Sequence, residues 1–292
     1  MSLLLQVIVN GLIAGSIYAL VSCGFSLIYN TNRFMHFAHG VSVLVSGYIL
    51  FTLFTLLNFN FYFALISSLV YSSFIGFLIF RIVYLPLQNR KASNVILLIA
   101  SISLLLLFQN LLQMIYGANV KDIGFTDIKI GYEIGDVIIT QNQIIILIIS
   151  IILFVSLFLF MNKTKLGKNM RAVSENKELA SIVGINSKKV SDLSFFIGSF
   201  LGGIAGVLIS LEQNVTPYMG TMLTIKGFTS SIIGGIFSVP GSILGSYILG
   251  LAENLGILYL PSGYKDAISF VLLFLFLLLK PNGLFSSKRR VN

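Results

Sequence analysis

The sequence predicts an all-α fold, a single polytopic membrane bundle of eight or nine helical spans. Of its 292 residues, 56% are hydrophobic and 10% are charged, whereas a soluble globular domain carries about 25% charged residues. Most apolar residues lie in runs close to the length of about 20 residues that a helix needs to cross a bilayer. Lys and Arg lie in the breaks between these runs. Lipid solvates this apolar surface, which a soluble fold has too few polar residues to cover.

The apolar runs give nine candidate spans in chain order, namely 7–29, 41–57, 62–80, 93–116, 143–161, 190–211, 227–239, 242–259 and 262–279. The first is expected to be retained, because no basic residue precedes Arg33 and the run is longer than that of a signal peptide. The run 227–239 is too short to cross the membrane straight. Together with 242–259 it predicts a glycine-rich broken or re-entrant hairpin, so the count is eight or nine.

The charged residues predict the orientation. Most of the 19 basic residues lie in 81–91, in 162–189 and in the tail, at Lys280, Lys288, Arg289 and Arg290. The break 117–142 instead carries Asp122, Asp127, Glu133 and Asp136 against two lysines, Lys121 and Lys129. Because basic loops stay in the cytoplasm, we expect the first three segments inside and 117–142 outside. The same alternation places 30–40 inside, and the N-terminus and 213–226 outside.

Charge and cysteine content exclude two other classes of protein. The net charge of +9 does not gather on one face of a soluble fold, as it does in a nucleic-acid-binding protein. The single cysteine, Cys23, lies within an apolar run. It can form no disulfide within the chain and belongs to no metal-type spacing, so we expect it to be a small packing residue.

Small residues recur at four-residue steps in two spans. Gly11, Gly15 and Ala19 form one such stripe, and Gly198, Gly202 and Gly206 form another. In lipid, small residues let helices approach closely. We therefore expect tight helix packing along both stripes, and helices packed in this way can also slide past one another.

The sequence lacks the common catalytic motifs. It contains no Gly-rich phosphate loop ending in Lys-Ser or Lys-Thr, no His-Glu-x-x-His and no Gly-x-Ser-x-Gly. We also find no pair of intramembrane carboxylates suited to acid–base chemistry. The chain is therefore predicted to be no enzyme, to hold no cofactor and to bind no ATP by a phosphate loop.

Few ionisable residues fall inside the candidate spans. Glu253 lies among apolar residues, and it is expected either to make structural hydrogen bonds in the bundle or to line a pathway. An interfacial position is the third alternative. Glu212 is expected to be solvated at the outer mouth, and Asp192 to face water at the start of its span.

His36 and His39 are spaced to share one face of a helix. A metal site would need a third ligand nearby, and the neighbouring sequence offers none. We expect the two histidines to be interfacial polar anchors ahead of the second span.

The segment 162–189 is too polar to span the membrane, and it predicts a short amphipathic helix over 174–185. Ser174 is the expected N-cap, Leu179, Ile182 and Val183 form an apolar stripe, and Gly184 fits a C-terminal cap. Such a helix either lies on the membrane surface or docks into a groove on another protein.

Six stretches, in chain order, resemble one known family. They are NGLIAGSIYAL (10–20), FAHG (37–40), RAVSENKELASIVGIN (171–186), GGIFSVPGSILG (234–245), GLAE (250–253) and KPNGLF (280–285). The chain resembles the LivH-type permease subunits of branched-chain amino acid ABC transporters. It departs from them at His36, where the family usually has Asn, and at Val41, where an acidic residue is common.

The resemblance implies that the chain is one transmembrane permease domain over residues 1–292, with 162–189 as its cytoplasmic coupling loop. The implied contacts to the ATPase come from Arg171, Ala172, Glu175, Glu178, Leu179, Ala180, Gly184 and Ile185. The implied pathway or gating residues are Asn10, Gly11, Gly15, Tyr18, His39, Gly40 and Glu253. The implied partners are a sister permease, two ATPase subunits that bind ATP, and an extracytoplasmic substrate-binding protein.

Two alternatives stay open beside a branched-chain amino acid importer of the bacterial inner membrane. The first is a permease of the same family for urea, short amides or other amino acids. The second is an ion-coupled secondary transporter, which would need intramembrane acids, and of these the sequence offers Glu253.

Overall fold

The computed structural model describes residues 2–125, 131–135 and 137–285. Its α-helices are α1 Ser2–Asn32, α2 His39–Leu50, α3 Phe61–Ile79, α4 Leu85–Asn89, α5 Asn94–Tyr116, α6 Gln141–Lys163, α7 Lys165–Glu175, α8 Lys177–Ile182, α9 Ser187–Gln213, α10 Met219–Gly234, α11 Val239–Gly256 and α12 Lys265–Leu279. π-helical turns extend α2 over Phe51–Leu56 and join α3 to α4 over Phe80–Tyr84. The antiparallel strands β1 (Gly131–Ile134) and β2 (Val137–Thr140) form a small hairpin that no sequence pattern predicted.

Within the described residues, seven helical segments are long and apolar enough to cross a membrane. A further pair, α10 and α11, is bent by 113° at its break and brings the number to eight if it counts as one span. Ser238 caps the second arm by accepting from Gly241 N, and Pro240 stands in its first turn. The predicted all-α membrane bundle with a broken, glycine-rich hairpin is confirmed.

The first arm of the hairpin begins earlier than predicted. The apolar run begins at 227, but α10 begins at Met219. The polar residues that precede the run have partners inside the bundle, so they do not prevent the helix from starting earlier. Thr221, for example, donates from its hydroxyl to Gln109 Oε1 of α5 at 2.6 Å. The loop expected over 213–226 is therefore reduced to 214–218.

The central helix is α1, which packs against α9, α10 and α11. The first glycine stripe lies at the contact between α1 and α11, and the second packs α9 against α1 and α2. A Cβ atom at Gly11 would lie 3.1 Å from Gly250 O, and one at Gly198 would lie 3.0 Å from Gly24 O. Because the backbones approach this closely, the stripes pack helix against helix as expected.

The loops separate into two groups at opposite ends of the bundle. At the end of the bundle where α1 finishes, Arg33 donates to the carbonyl of Ser174, Arg81 pairs with Asp192, and Phe285 N donates to Gly234 O. At the end where α1 begins, the Gln6 side chain donates to Ile138 O, and Lys121 forms a β-bridge with Val215. The described basic segments therefore share one end with the hairpin tip, and the acidic segment lies at the other. Of the charged residues named above, Asp127, Lys129, Asp136, Lys288, Arg289 and Arg290 lie outside the described residues.

Candidate functional site

A group of polar side chains lies inside the bundle where α1, α10, α11 and α12 meet. We call it the polar cluster, and it consists of Tyr18, Lys226, Glu253, Asp266 and Ser269. Each helix contributes at least one member, since the antiparallel arms α10 and α11 bring Lys226 to Glu253, and the first two turns of α12 supply Asp266 and Ser269.

The Glu253 carboxylate is fully buried, and every contact it makes in the polar cluster comes from a donor. Tyr18 donates from its hydroxyl to Oε2 at 2.7 Å, and the ammonium of Lys226 donates to the same oxygen at 3.2 Å. The Ser269 hydroxyl donates to Oε1. A buried carboxylate is strongly unfavourable without such partners, so the cluster makes this position tolerable within the membrane domain.

Lys226 connects Glu253 to a second carboxylate. Its Nζ lies 3.2 Å from Glu253 Oε1 and 3.0 Å from Asp266 Oδ1, and it donates to the Tyr18 hydroxyl at 3.2 Å. The Lys226 side chain is 12% exposed and that of Asp266 is 50% exposed. Glu253 and Asp266 therefore share one ammonium group between them.

Lys226, Asp266 and Ser269 are functional candidates that the sequence reading missed. Lys226 directly precedes an apolar run and was assigned to a loop, since a single lysine lowers local hydropathy. The sequence did contain one signal. A single charged residue, Lys226, directly precedes Gly227 and an apolar run that is too short to span a membrane. Extending the predicted helix by about two turns toward the N-terminus would have placed Lys226 within the span.

The other acidic residues near the span ends are less exposed than expected. Glu212 is partly buried and accepts from Gln143 Nε2 at 2.9 Å. Asp192 is 13% exposed in its side chain and pairs with Arg81. Glu253 is completely buried in the protein, and its contacts are those expected for structural hydrogen bonds in the bundle; a role in lining a pathway stays a prediction.

Both histidines are buried, so the expectation that they anchor the chain at the membrane interface is wrong. His36 is 1% exposed and its Nδ1 lies 2.9 Å from the Tyr84 hydroxyl. The ring of His39 fills the space beside Gly24 and Gly202, where a Cβ at either glycine would lie within 3.0 Å of it. The chain folds back into the bundle after α1, so α2 begins well inside it.

The remaining residues of the predicted pathway set lie at helix contacts. Gly11 and Gly15 abut α11, and Gly40 abuts Gly220 and Thr224 of α10. Asn10 is partly buried and accepts from Gln6 Nε2 at 3.2 Å. The structure brings two members of this set together directly, Tyr18 and Glu253.

The segment 162–189 holds two helices where one was expected. The added helix is α7, which Thr164 caps by accepting from Gly167 N at 3.0 Å. The N-cap of α8 is Asn176 rather than Ser174, because the Asn176 carboxamide accepts from the backbone N–H groups of Glu178 and Leu179.

Gly184 ends α8 in the manner that its sequence position predicted. Its φ is +85°, in the left-handed region that suits glycine. The N–H of Ile185 then donates to Ala180 O at 3.0 Å, and that of Gly184 donates to Ser181 O at 3.1 Å. This pattern is typical of a glycine-terminated helix end, and it holds α8 at a fixed length.

The two faces of α8 differ in their surroundings. Ala180 is buried in a small apolar core with Met170, Val173 and Leu27, and Ile185 packs against the same core. Leu179, Ile182 and Val183 are 60%, 79% and 74% exposed. One face therefore anchors α8 to the bundle, and the opposite face presents apolar side chains outward.

The predicted coupling residues divide between these two faces and the neighbouring α7. Ala172, Ala180 and Ile185 point toward the core, whereas Glu175, Glu178 and Leu179 are exposed. Arg171 is also exposed and donates to Asn162 Oδ1 at 3.1 Å. The predicted coupling residues thus lie together at one end of the bundle. Some of them anchor α7 and α8 to the core, and the others are exposed.

Comparison with known proteins identifies a matching family model, similar sequences and one similar structure. The model of the family described as branched-chain amino acid transport system / permease component matches residues 7–277. The chain is 34% identical to the high-affinity branched-chain amino acid transport system permease protein BraD of Pseudomonas aeruginosa, over 96% of this chain and 95% of that protein. It is 33% identical to the corresponding LivH of Escherichia coli K12, over 96% and 94%. Among solved structures, PsaBC from Streptococcus pneumoniae in complex with Fab covers 96% of this chain and 91% of its own, at 15% identity and a TM-score of 0.48.

Proposed function

This chain belongs to the family of branched-chain amino acid transport system permease components, and from that premise we propose that it is the permease subunit of an ATP-driven importer of branched-chain amino acids. It forms half of the translocation pathway, and a sister permease forms the other half. Two ATPase subunits bind the ATP, and an extracytoplasmic binding protein delivers the amino acid.

The single observation that carries the coupling part of this proposal is the outward face of α8. Leu179, Ile182 and Val183 stay exposed on a helix that is short, capped at both ends and anchored to the bundle through Ala180. An apolar stripe of this kind fits a groove on a partner protein. Because the sequence has no phosphate loop of its own, the proposed partner is the ATPase.

The anchoring of α8 supports a route for force transmission. Its buried face packs on Leu27 of α1 through Met170 and Val173 of α7, and α1 is the helix on which α9, α10 and α11 pack. Closure of the ATPase pair on ATP would move α8 and shift the population of the bundle from inward-facing to outward-facing.

The proposed orientation places the α8 end in the cytoplasm, together with the basic segments 81–91 and 162–189 and the C-terminus. The acidic segment 117–142 and the loop 214–218 then face the binding protein. The grouping of these segments at two ends supports the alternation predicted from charge.

An ion-coupled secondary transporter is the second candidate, and the observation that favours it is the pair of carboxylates on Lys226. Transport in proteoliposomes separates the two. We expect leucine uptake by the reconstituted complex to require ATP, to stop with vanadate and to continue when an uncoupler removes the ion gradients. Uptake that survives vanadate and stops with the uncoupler would favour the secondary transporter.

A further inference from the structure

We propose that the cavity beside the polar cluster binds an α-amino acid in its zwitterionic form, with the ammonium group on Asp266 and the carboxylate on Lys226. This inference rests on the proposed function and names the place where the transported molecule first meets this chain. Its evidence is the combination of a small cavity, a partly exposed ion pair in its lining and apolar side chains beside that pair.

The cavity has a volume of about 260 Å³. Tyr18, Lys226 and Asp266 contribute hydroxyl and charged groups to its lining, and its apolar lining includes Ile17, Met219 and Leu223. Pockets for drug-sized ligands hold about 300–1,000 Å³, so this one suits a smaller molecule. It also touches Asn214 and Thr216, which places it at the end of the bundle that carries the acidic segment.

The ion pair between Lys226 and Asp266 explains why a zwitterion fits. The two charged atoms lie 3.0 Å apart, and the Asp266 side chain is half exposed. A molecule with both charges inserts between them and leaves each ion with an opposite charge. A molecule with a single charge would leave either Lys226 or Asp266 without its partner, which is unfavourable away from water.

Lys226 remains held while this exchange occurs. Its ammonium also contacts Glu253 at 3.2 Å and Tyr18 at 3.2 Å. Glu253 is fully buried and does not line the cavity, so Lys226 keeps this contact when it changes partner from Asp266 to a ligand carboxylate. The buried half of the polar cluster therefore fixes the position of the charge that the ligand meets.

The apolar wall matches an aliphatic side chain. Met219 and Leu223 belong to one face of α10, with Met222 beside them, and Ile17 faces them from α1. Methionine side chains adapt to apolar groups of different shapes, which suits leucine, isoleucine and valine alike. Among the described residues that line the cavity, the charged ones are Lys226 and Asp266, so a charged ligand side chain would find no further ion to pair with.

The test uses the whole transporter in nanodiscs and a diazirine analogue of L-leucine as the probe. After irradiation, we expect label on α10 between Met219 and Leu223 or on α1 near Ile17, mapped by mass spectrometry. L-leucine should compete with the label. Neither 4-methylpentanoate, which lacks the ammonium group, nor isopentylamine, which lacks the carboxylate, should do so at equal concentration.

Two variants separate the ion pair from general effects on the protein. Asp266→Asn removes one charge-assisted contact, and labelling should fall about tenfold while the melting temperature of the complex stays close to that of the wild type. Glu133→Gln neutralises an exposed carboxylate of β1 and should leave labelling unchanged.

The outcomes are distinct for this inference and for the proposed function. Label elsewhere in the complex, or labelling that isopentylamine blocks as well as leucine does, overturns the zwitterion site even when ATP-driven leucine uptake is normal. Unchanged labelling of Asp266→Asn overturns it too. If the wild-type complex shows no ATP-dependent leucine uptake, the proposed function itself fails.

Discussion

Tyr18 and Glu253 are 235 positions apart in the sequence, and the Tyr18 hydroxyl donates a 2.7 Å hydrogen bond to Glu253 Oε2 in the interior of the bundle. Lys226 and Ser269 add donors to the same carboxylate. One buried acid thus connects α1, α10, α11 and α12. The polar cluster therefore joins both arms of the hairpin to α1 and α12, next to the cavity that Lys226 and Asp266 line.

Replacing Tyr18 by Phe should therefore destabilise the protein. The ring still fills its space, but Glu253 loses a donor, and removing one partner of a buried acceptor costs about 1–3 kcal/mol. Thermal unfolding of the detergent-solubilised chain should show a lower midpoint. Tyr259→Phe is the matched control, because Tyr259 is 89% exposed. Equal midpoints for both variants would show that the Tyr18 hydrogen bond contributes nothing to stability.

The ion pair between Lys226 and Glu253 predicts non-additive effects. Lys226→Met leaves a buried carboxylate without its cation, and Glu253→Gln leaves the ammonium with one carboxylate fewer. Breaking a buried pair on one side costs about 3–5 kcal/mol. The double variant should be destabilised by clearly less than the sum of the single variants, measured by denaturant unfolding in one detergent. Strict additivity would mean that the two charges do not interact.

The long apolar runs made the spans predictable, because hydropathy over about 20 residues is a local property of the chain. The limits of α10 were not predictable in this way. Lys226 directly precedes an apolar run in the sequence, but it lies in a helix because Glu253 and Asp266 reach it from other helices. A partner that is 27 positions away does not enter a hydropathy window.

The end of α8 and the position of the histidines show the same contrast. Gly184 was identified correctly as a helix end, since the left-handed conformation that terminates a helix favours glycine locally. His36 and His39 were assigned to the interface because histidine is polar. His39 is buried because Gly24 and Gly202, on two other helices, leave room for its imidazole. That room depends on tertiary packing and leaves no mark in the neighbouring sequence.

The outward face of α8 predicts an uncoupled phenotype. Glu178→Arg reverses a charge in the exposed first turn of α8, and Gly184→Trp places a bulky side chain where φ is +85°. Both variants should insert into the membrane normally but lose ATP-driven leucine uptake and co-purify less ATPase. Membrane content by immunoblot, uptake in vesicles and the ATPase ratio after affinity purification measure the three effects.

A charge reversal on the neighbouring helix is the control for α8. Lys168 is exposed on α7 and does not belong to the predicted contact set, so Lys168→Glu should leave both uptake and ATPase recovery near the wild-type values. If Glu178→Arg and Gly184→Trp also keep full uptake and ATPase recovery, α8 does not dock the ATPase.

The orientation of the bundle can be tested with single cysteines on exposed side chains at its two ends. Val183 is 74% exposed on α8, and Tyr132 is 48% exposed on β1, while the native Cys23 is fully buried and should remain silent. The positive-inside rule predicts that α8 lies in the cytoplasm. In intact cells, after removal of any outer membrane, a membrane-impermeant maleimide should label Tyr132→Cys directly and Val183→Cys only after permeabilisation.

This labelling result decides more than topology, because an ATPase that uses cytoplasmic ATP can reach α8 only from the cytoplasm. The cavity beside Lys226 opens toward the end that carries β1 and the loop 214–218, so the same result also determines whether the proposed amino acid site faces the binding protein. If Val183→Cys is labelled in intact cells and Tyr132→Cys is protected, the bundle is inverted. Docking of the ATPase on α8 and loading of the cavity from outside are then both wrong, since each requires its own end of the bundle.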